Sequence, residues 1–224
     1  MTDVGIGSKL LPTIGCCLLL AAPAACTRHA FPLGEAKATT TRAVAMDNIN
    51  AQVAQAAAKA NGWNVEDVVV EAAREGTAGD CRLLNVRSNN VLHSFTQTYA
   101  VLRGETVVAP GDADALTRVL DACGDDASAA LWAQAVVAFA PDIRPGRVTW
   151  SQEHISSVAH KWAMRDGGYS FHPPRFSTAA GNGNKAVEFF MTDLEGSELF
   201  QVRATRAASG AVQVDVKPAG DAKP

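Results

Sequence analysis

Two short runs near the C-terminal end, "ELFQVRAT" (198–205) and "AVQVDVK" (211–217), place apolar residues at every second position, and the largely apolar "AVEFFMTDL" (186–194) precedes them. A helix cannot keep such a pattern on one face, whereas a half-buried antiparallel strand requires it. Glu195-Gly196 and the Ser209-Gly210 region separate the runs with turn residues. The expectation is a three-stranded meander in which Phe200, Val202 and Ala204 point inward together with Val212, Val214 and Val216.

A helix should precede this meander, capped by Ser151 and stopped at Asp166-Gly167-Gly168, with Ile155, Val158, Ala159 and Trp162 on one face. The first half of the chain repeats the plan. A helix is expected from about Val44 to Ala60, with Ile49, Val53, Ala57 and Ala60 on its apolar face and Asn61-Gly62 as its left-handed stop. Strand signals follow at 67–73, 82–86 and 91–102, the last with Val91, His93, Phe95, Gln97, Tyr99 and Val101 on one side. Arg103-Gly104-Glu105 then turns the chain into "TVVA" (106–109) as a hairpin. Between the halves lie two helices. Asp112 is placed to cap the first, whose stripe is Leu116, Val119, Leu120 and Cys123, and Gly124 ends it. Ser128 is placed to cap the second, "AALWAQAVVAFA", which is apolar on nearly every face and so belongs in the core, with Pro141 marking its end.

The fold class is therefore α+β: two helix-plus-antiparallel-meander modules with two additional helices between them. The expected organisation is a signal peptide at 1–25 and a flexible tether at 26–43. A first module with its two following helices covers 44–140, and a second covers 141–224. The modules end alike, in "APGDA" (109–113) and "PAGDA" (218–222), a thin sign of duplication.

Composition narrows the partners. The net charge is −3, and 14 acidic against 11 basic side chains between Cys26 and Trp150, then 8 against 8 from Ser151 onward, leave neither half with a field that gathers nucleic acid. Aromatic residues make up only 6% of the chain, so the core must be built from Val, Leu and Ala.

Residues 10–26 form the one run apolar enough to suggest a membrane. That run is shorter than the roughly 20 residues a spanning helix needs, and Pro12 and Pro23 interrupt it. With Lys9 ahead of it and small residues behind, it reads as a secretory signal. Two cleavage sites compete: Ala22-Pro23-Ala24 suits ordinary signal peptidase, and Ala24-Ala25-Cys26 resembles the lipobox of bacterial lipoprotein precursors. Pro23 departs from that family's pattern, which carries Leu or another aliphatic residue there. The resemblance covers the signal region alone. It implies acylation of Cys26, a membrane partner held through an N-terminal lipid, and residence in the cell envelope. Thr27 stands where an aspartate would retain such proteins in the inner membrane, so the periplasmic face of the outer membrane is the implied destination; without the lipid it is the periplasm.

Cysteine parity bears on the same choice. Cys16 and Cys17 leave with the apolar run, so Cys26, Cys81 and Cys123 stay. An acylated Cys26 leaves Cys81 and Cys123 to pair as a disulfide, whereas cleavage after Ala24 leaves a stray thiol. The plainer alternative makes Cys81 and Cys123 two small buried hydrophobes.

The local signatures of catalysis are missing. The sequence contains no G-x-S-x-G, S-x-x-K, H-E-x-x-H, Walker or dinucleotide glycine pattern. "GNGNK" (181–185) reads as a loop, His93 as a structural histidine, and His154 and His160 lie about 240° apart on a helix, too far round for one metal. No catalytic residue, metal or cofactor is assigned. The stretch "GGYSFHPPRF" (167–176) is unusual for placing Tyr169, Phe171, His172 and Arg175 beside a stiff Pro-Pro pair, a composition suited to contact with an unknown protein partner. Aromatic cover over the edge of the core is the competing explanation. The expected function is an exported, lipid-anchored envelope protein acting as a binding, adaptor or inhibitor-like module. The alternatives are an exported enzyme with a dispersed active site and a soluble periplasmic interaction protein without an anchor.

Overall fold

The computed structural model describes residues 36–90, 96–155, 168, 170–178 and 184–219, with side chains from Asn48 onward. The fold is α+β: among the described residues there are three α-helices and two antiparallel sheets. Helix α1 (Ala36–Asn61) leads to strands β1 (Val68–Ala78), β2 (Cys81–Ser88), β3 (Gln97–Leu102) and β4 (Thr106–Val108), paired in chain order as the first sheet. Helices α2 (Ala115–Cys123) and α3 (Ala129–Phe139) follow. The second sheet has five strands: β5 (Gly146–Thr149), β6 (Arg175–Thr178), β7 (Lys185–Asp193), β8 (Leu199–Arg206) and β9 (Val212–Pro218).

The expected meander is present as β7–β8–β9. Two further strands, β5 and β6, lie end to end along the free edge of β7, Thr149 opposite Phe190 and Arg175 opposite Glu188. They are too short to show alternation, and the chain leaves the sheet between them. Val216, expected to point inward, pairs with Val202 but is 37% exposed, because β9 is an edge strand with nothing packed beyond it among the described residues.

The first sheet is covered on both faces. Val53 and Ala57 of α1 pack on Leu84, Val86, Tyr99 and Val101. The helix starts at Ala36 rather than Val44, taking in part of the expected tether, and Ala58 is buried in place of Ala60. Gly62, at φ 67°, ends it. The opposite face, with Leu83, Ala100 and Val108, packs on α2 and α3, and the same cluster continues into Val187, Phe189, Met191, Val202 and Ala204 of the second sheet. The helices thus lie between the two sheets, and the apolar core crosses from one half of the chain to the other.

Local chemistry explains the helix ends. Ser128 caps α3, its hydroxyl accepting the Leu131 N–H at 3.1 Å, as the sequence suggested. At α2 the cap position falls to Asp114, in the left-handed region at φ 54°. Asp112 instead uses its carboxylate to accept the Ala109 N–H at 3.0 Å, fixing the turn before the helix. The turn from β3 to β4 puts both Arg103 and Gly104 at positive φ, the twist that a tight hairpin needs. The helix expected after Ser151 is described only as far as Ile155: a 3-10 turn at Gln152–His154, with Ile155 buried beneath the second sheet. Ser151 does not cap this turn; its hydroxyl bonds His154 Nδ1 at 3.1 Å. The rest of that expected helix, the strand start at 91–95 and "GNGN" (181–184) up to Gly183 lie outside the described residues.

Candidate functional site

A half-open groove of about 840 Å³ lies where the two sheets approach each other. Its floor comes from the first sheet. Along β2 and β3 the face that carries Leu83 and Ala100 under the helices turns polar one step further on, at Asn85 and Thr98, which line the groove. Thr98 donates its hydroxyl proton to Asn85 Oδ1 at 3.0 Å. One wall is α3. Gln134, Val137 and Ala138 fall at i, i+3 and i+4, so they share the helix face that the core covers only in part, and Ile143 extends it. The other wall is the whole of β5 and the turn between β7 and β8.

Trp150 stands at the end of β5, with the Arg74 guanidinium 5.0 Å from its ring centroid. Arg74 is aimed there by a bulge in β1: the register shifts between Ala72 and Thr77, Glu75 takes φ 49°, and Gly76 sits where a Cβ would meet the Leu83 and Ala73 carbonyls at 2.8 and 2.9 Å. The bulge is tied to α3 at two points, through the Gln134 amide on the Arg74 carbonyl and the Ser128 hydroxyl on the Glu75 carboxylate at 3.3 Å.

Asp193, in the turn between β7 and β8, does structural work. Asp193 accepts the backbone N–H of Ser197 at 2.7 Å and of Glu198 at 3.1 Å. Its slight burial raises the carboxyl pKa, but these bonds and the Ser197 hydroxyl outweigh it and hold it below the ordinary 3.8. A carboxylate so engaged closes a turn. Among the described residues no group of His, Cys, Asp and Glu is disposed to hold a metal.

The sequence-derived candidates are elsewhere. Cys81 opens β2 and Cys123 ends α2; both are buried, and their Cα atoms are 4.7 Å apart, at disulfide distance. The backbone is closely fitted around them: Asp80 N–H donates to the Ala122 carbonyl at 3.0 Å, and a Cβ on Gly79 would come within 2.9 Å of the Cys123 carbonyl oxygen. Cys26 and Tyr169 lie outside the described residues. Phe171 is half-buried against Phe190, ring centroids 5.6 Å apart, and His172 lies 5.2 Å from the same ring. His172 Nδ1 is 2.9 Å from the Pro173 carbonyl, and its buried Nε2 has no hydrogen-bond partner among the described residues. Arg175 points outward, 3.5 Å from Glu188, which also meets Arg203. Phe171 and His172 lie against the second sheet and Arg175 begins β6, all apart from the groove lining.

The groove itself was not anticipated. Its residues are distant in sequence and individually ordinary; the one local hint was Gln134, the lone polar residue in an otherwise apolar helix. Known proteins add nothing to this picture, since no family model, curated protein or solved structure matches the chain.

Proposed function

We propose that the protein is exported, anchored in the cell envelope by acyl chains on Cys26, and works there as a binding or adaptor module, inhibition of an envelope enzyme included. The observation that carries this reading is the pairing of Cys81 with Cys123 at disulfide distance. It accounts for two of the three cysteines from Cys26 onward and leaves Cys26 as the odd one, at the end of a lipobox-like sequence. A disulfide in a chain of this kind belongs to an oxidising compartment. Each acyl methylene buried in a bilayer contributes about 0.8 kcal/mol, and two or more chains hold a protein stably on the membrane. The groove supplies the binding part: a concave surface with mixed apolar and neutral polar lining.

The test is metabolic labelling with a fatty-acid analogue in a bacterial host with two membranes. The wild-type chain should take up label and sediment with membranes, and Cys26→Ser should do neither. A Cys26→Ser protein that still takes up label and still sediments with membranes overturns the anchor.

A further inference from the structure

We propose that the groove along β5 binds an extended peptide segment by strand addition, extending the second sheet; this deepens the binding-module reading above and rests on it. Among the described residues β5 pairs with β7 alone, and no backbone group bonds its other edge. Alternate residues of an edge strand turn their N–H and C=O groups outward, a standing template for another strand. All four residues of β5 line the groove, so that template opens into a bounded space rather than onto a bare sheet edge.

The surroundings match the needs of an extended chain. Such a chain has two hydrogen-bonding edges and two side-chain faces. One edge would meet β5. The other would look toward the Asn85 amide and the Thr98 hydroxyl on the floor and the Gln134 amide on α3, neutral groups able to donate or accept. One side-chain face would rest on Val137, Ala138 and Ile143, which are only half covered by the core. The opposite face would stand beside Arg147, exposed on β5. The ligand implied is a segment with small aliphatic residues at alternate positions and polar residues between them. A volume of about 840 Å³ falls within the roughly 300–1,000 Å³ typical of sites that enclose a short ligand.

The probe is the synthetic peptide acetyl-KVTVTVE-amide, titrated calorimetrically into the full-length protein, with amide hydrogen exchange read over residues 146–149. Two N-methylated versions, one at the valines and one at the threonines, remove the N–H donors of opposite edges. The expected results are saturable binding, slowed exchange at 146–149, and at least one methylated version about tenfold weaker. Ala138→Arg, at a half-exposed helix position, should leave the thermal midpoint unchanged and weaken the peptide about tenfold by filling the apolar wall. Absence of saturable binding, unchanged exchange at 146–149, equal binding of all three peptides, or saturation by cellotetraose in place of the peptide would each overturn the proposal. None of these outcomes touches the labelling of Cys26, so failure of the groove and failure of the anchor are read separately.

Discussion

Two positions set limits that can be measured at single-residue scale. Gly146 begins β5 pressed against the Met191 side chain and the Thr192 carbonyl of β7, with no room for a Cβ. Gly146→Ala should therefore destabilise the protein by about 1–3 kcal/mol in urea denaturation, through crowding rather than through backbone angle. Tyr99 is buried between α1 and the first sheet, its hydroxyl 3.4 Å from Gln97 Oε1, which in turn exchanges amide hydrogen bonds with Asn61 at 3.0 and 2.8 Å. Burial raises the phenol above its ordinary 10.0, the Asn61 hydrogen bond lowers it and the Asp112 charge adds to the rise. A raised folded-state pKa stabilises fully below the unfolded value and is lost as pH climbs through the folded one. Stability should hold up to about pH 10 and fall above it, and Tyr99→Phe should flatten that fall. An unchanged alkaline slope in the Phe variant would show that another group is responsible. Residue-scale features of this kind were half legible. Cys123 on the apolar stripe of α2 and Ser128 as a cap follow from local pattern, and the structure keeps both. Asp112 was misplaced because two aspartates compete within three positions, and the choice between them depends on the Ala109 N–H of the preceding turn.

At the scale of elements, the pieces with strong periodicity were legible and the short ones were not. β8 and β9 alternate in sequence and β7 is a long, largely apolar run, while α2 carries an apolar stripe and α3 a cap. β5 has four residues between Pro145 and Trp150, and only β7 beside it makes it a strand. The groove depends on that strand and on the exposed face of α3, so it was out of reach of any local pattern. The α3 cap offers a direct check: Ser128→Ala should cost about 1 kcal/mol, since it loses both the Leu131 N–H and the Glu75 carboxylate. A loss near zero in thermal denaturation would mean that water replaces the hydroxyl. The pairing of β2 with α2 through Cys81 and Cys123 closes a loop of 42 residues. In the chain-entropy model a loop of that length contributes ~4 kcal/mol, reduced by any strain. The double variant Cys81→Ser, Cys123→Ser should lower the urea midpoint accordingly, and an unchanged midpoint would make the cysteines mere core filling.

For the whole molecule the notable fact is that one apolar cluster spans both halves of the chain. Trp132, Leu131 and Val136 of α3 lie between Leu83 and Ala100 on one side and Val187, Phe189 and Val202 on the other. Polar ties cross the same boundary: Arg206 of β8 pairs with Asp121 of α2, and the Lys185 ammonium donates to the Asp125 carbonyl at 2.6 Å while lying 4.3 Å from the Phe176 ring centroid. Unfolding should accordingly be one cooperative transition, with tryptophan fluorescence and far-ultraviolet dichroism tracing the same curve. Two separated transitions would show that the sheets unfold independently. Each half shows its own pattern of helix and strands in the sequence; that α3 serves both halves at once shows only in three dimensions. Among the described residues no helix is long and apolar enough to cross a membrane. The proposed envelope role rests on acylation of Cys26. Intact-mass spectrometry of the non-reduced protein, extracted from the membranes of a host with two membranes, tests that role most directly. The expected mass is that of a chain beginning at Cys26, carrying acylglyceryl lipid, and lacking the two hydrogens lost when Cys81 and Cys123 join. A chain that begins elsewhere without lipid, or that keeps those two hydrogens, would contradict it.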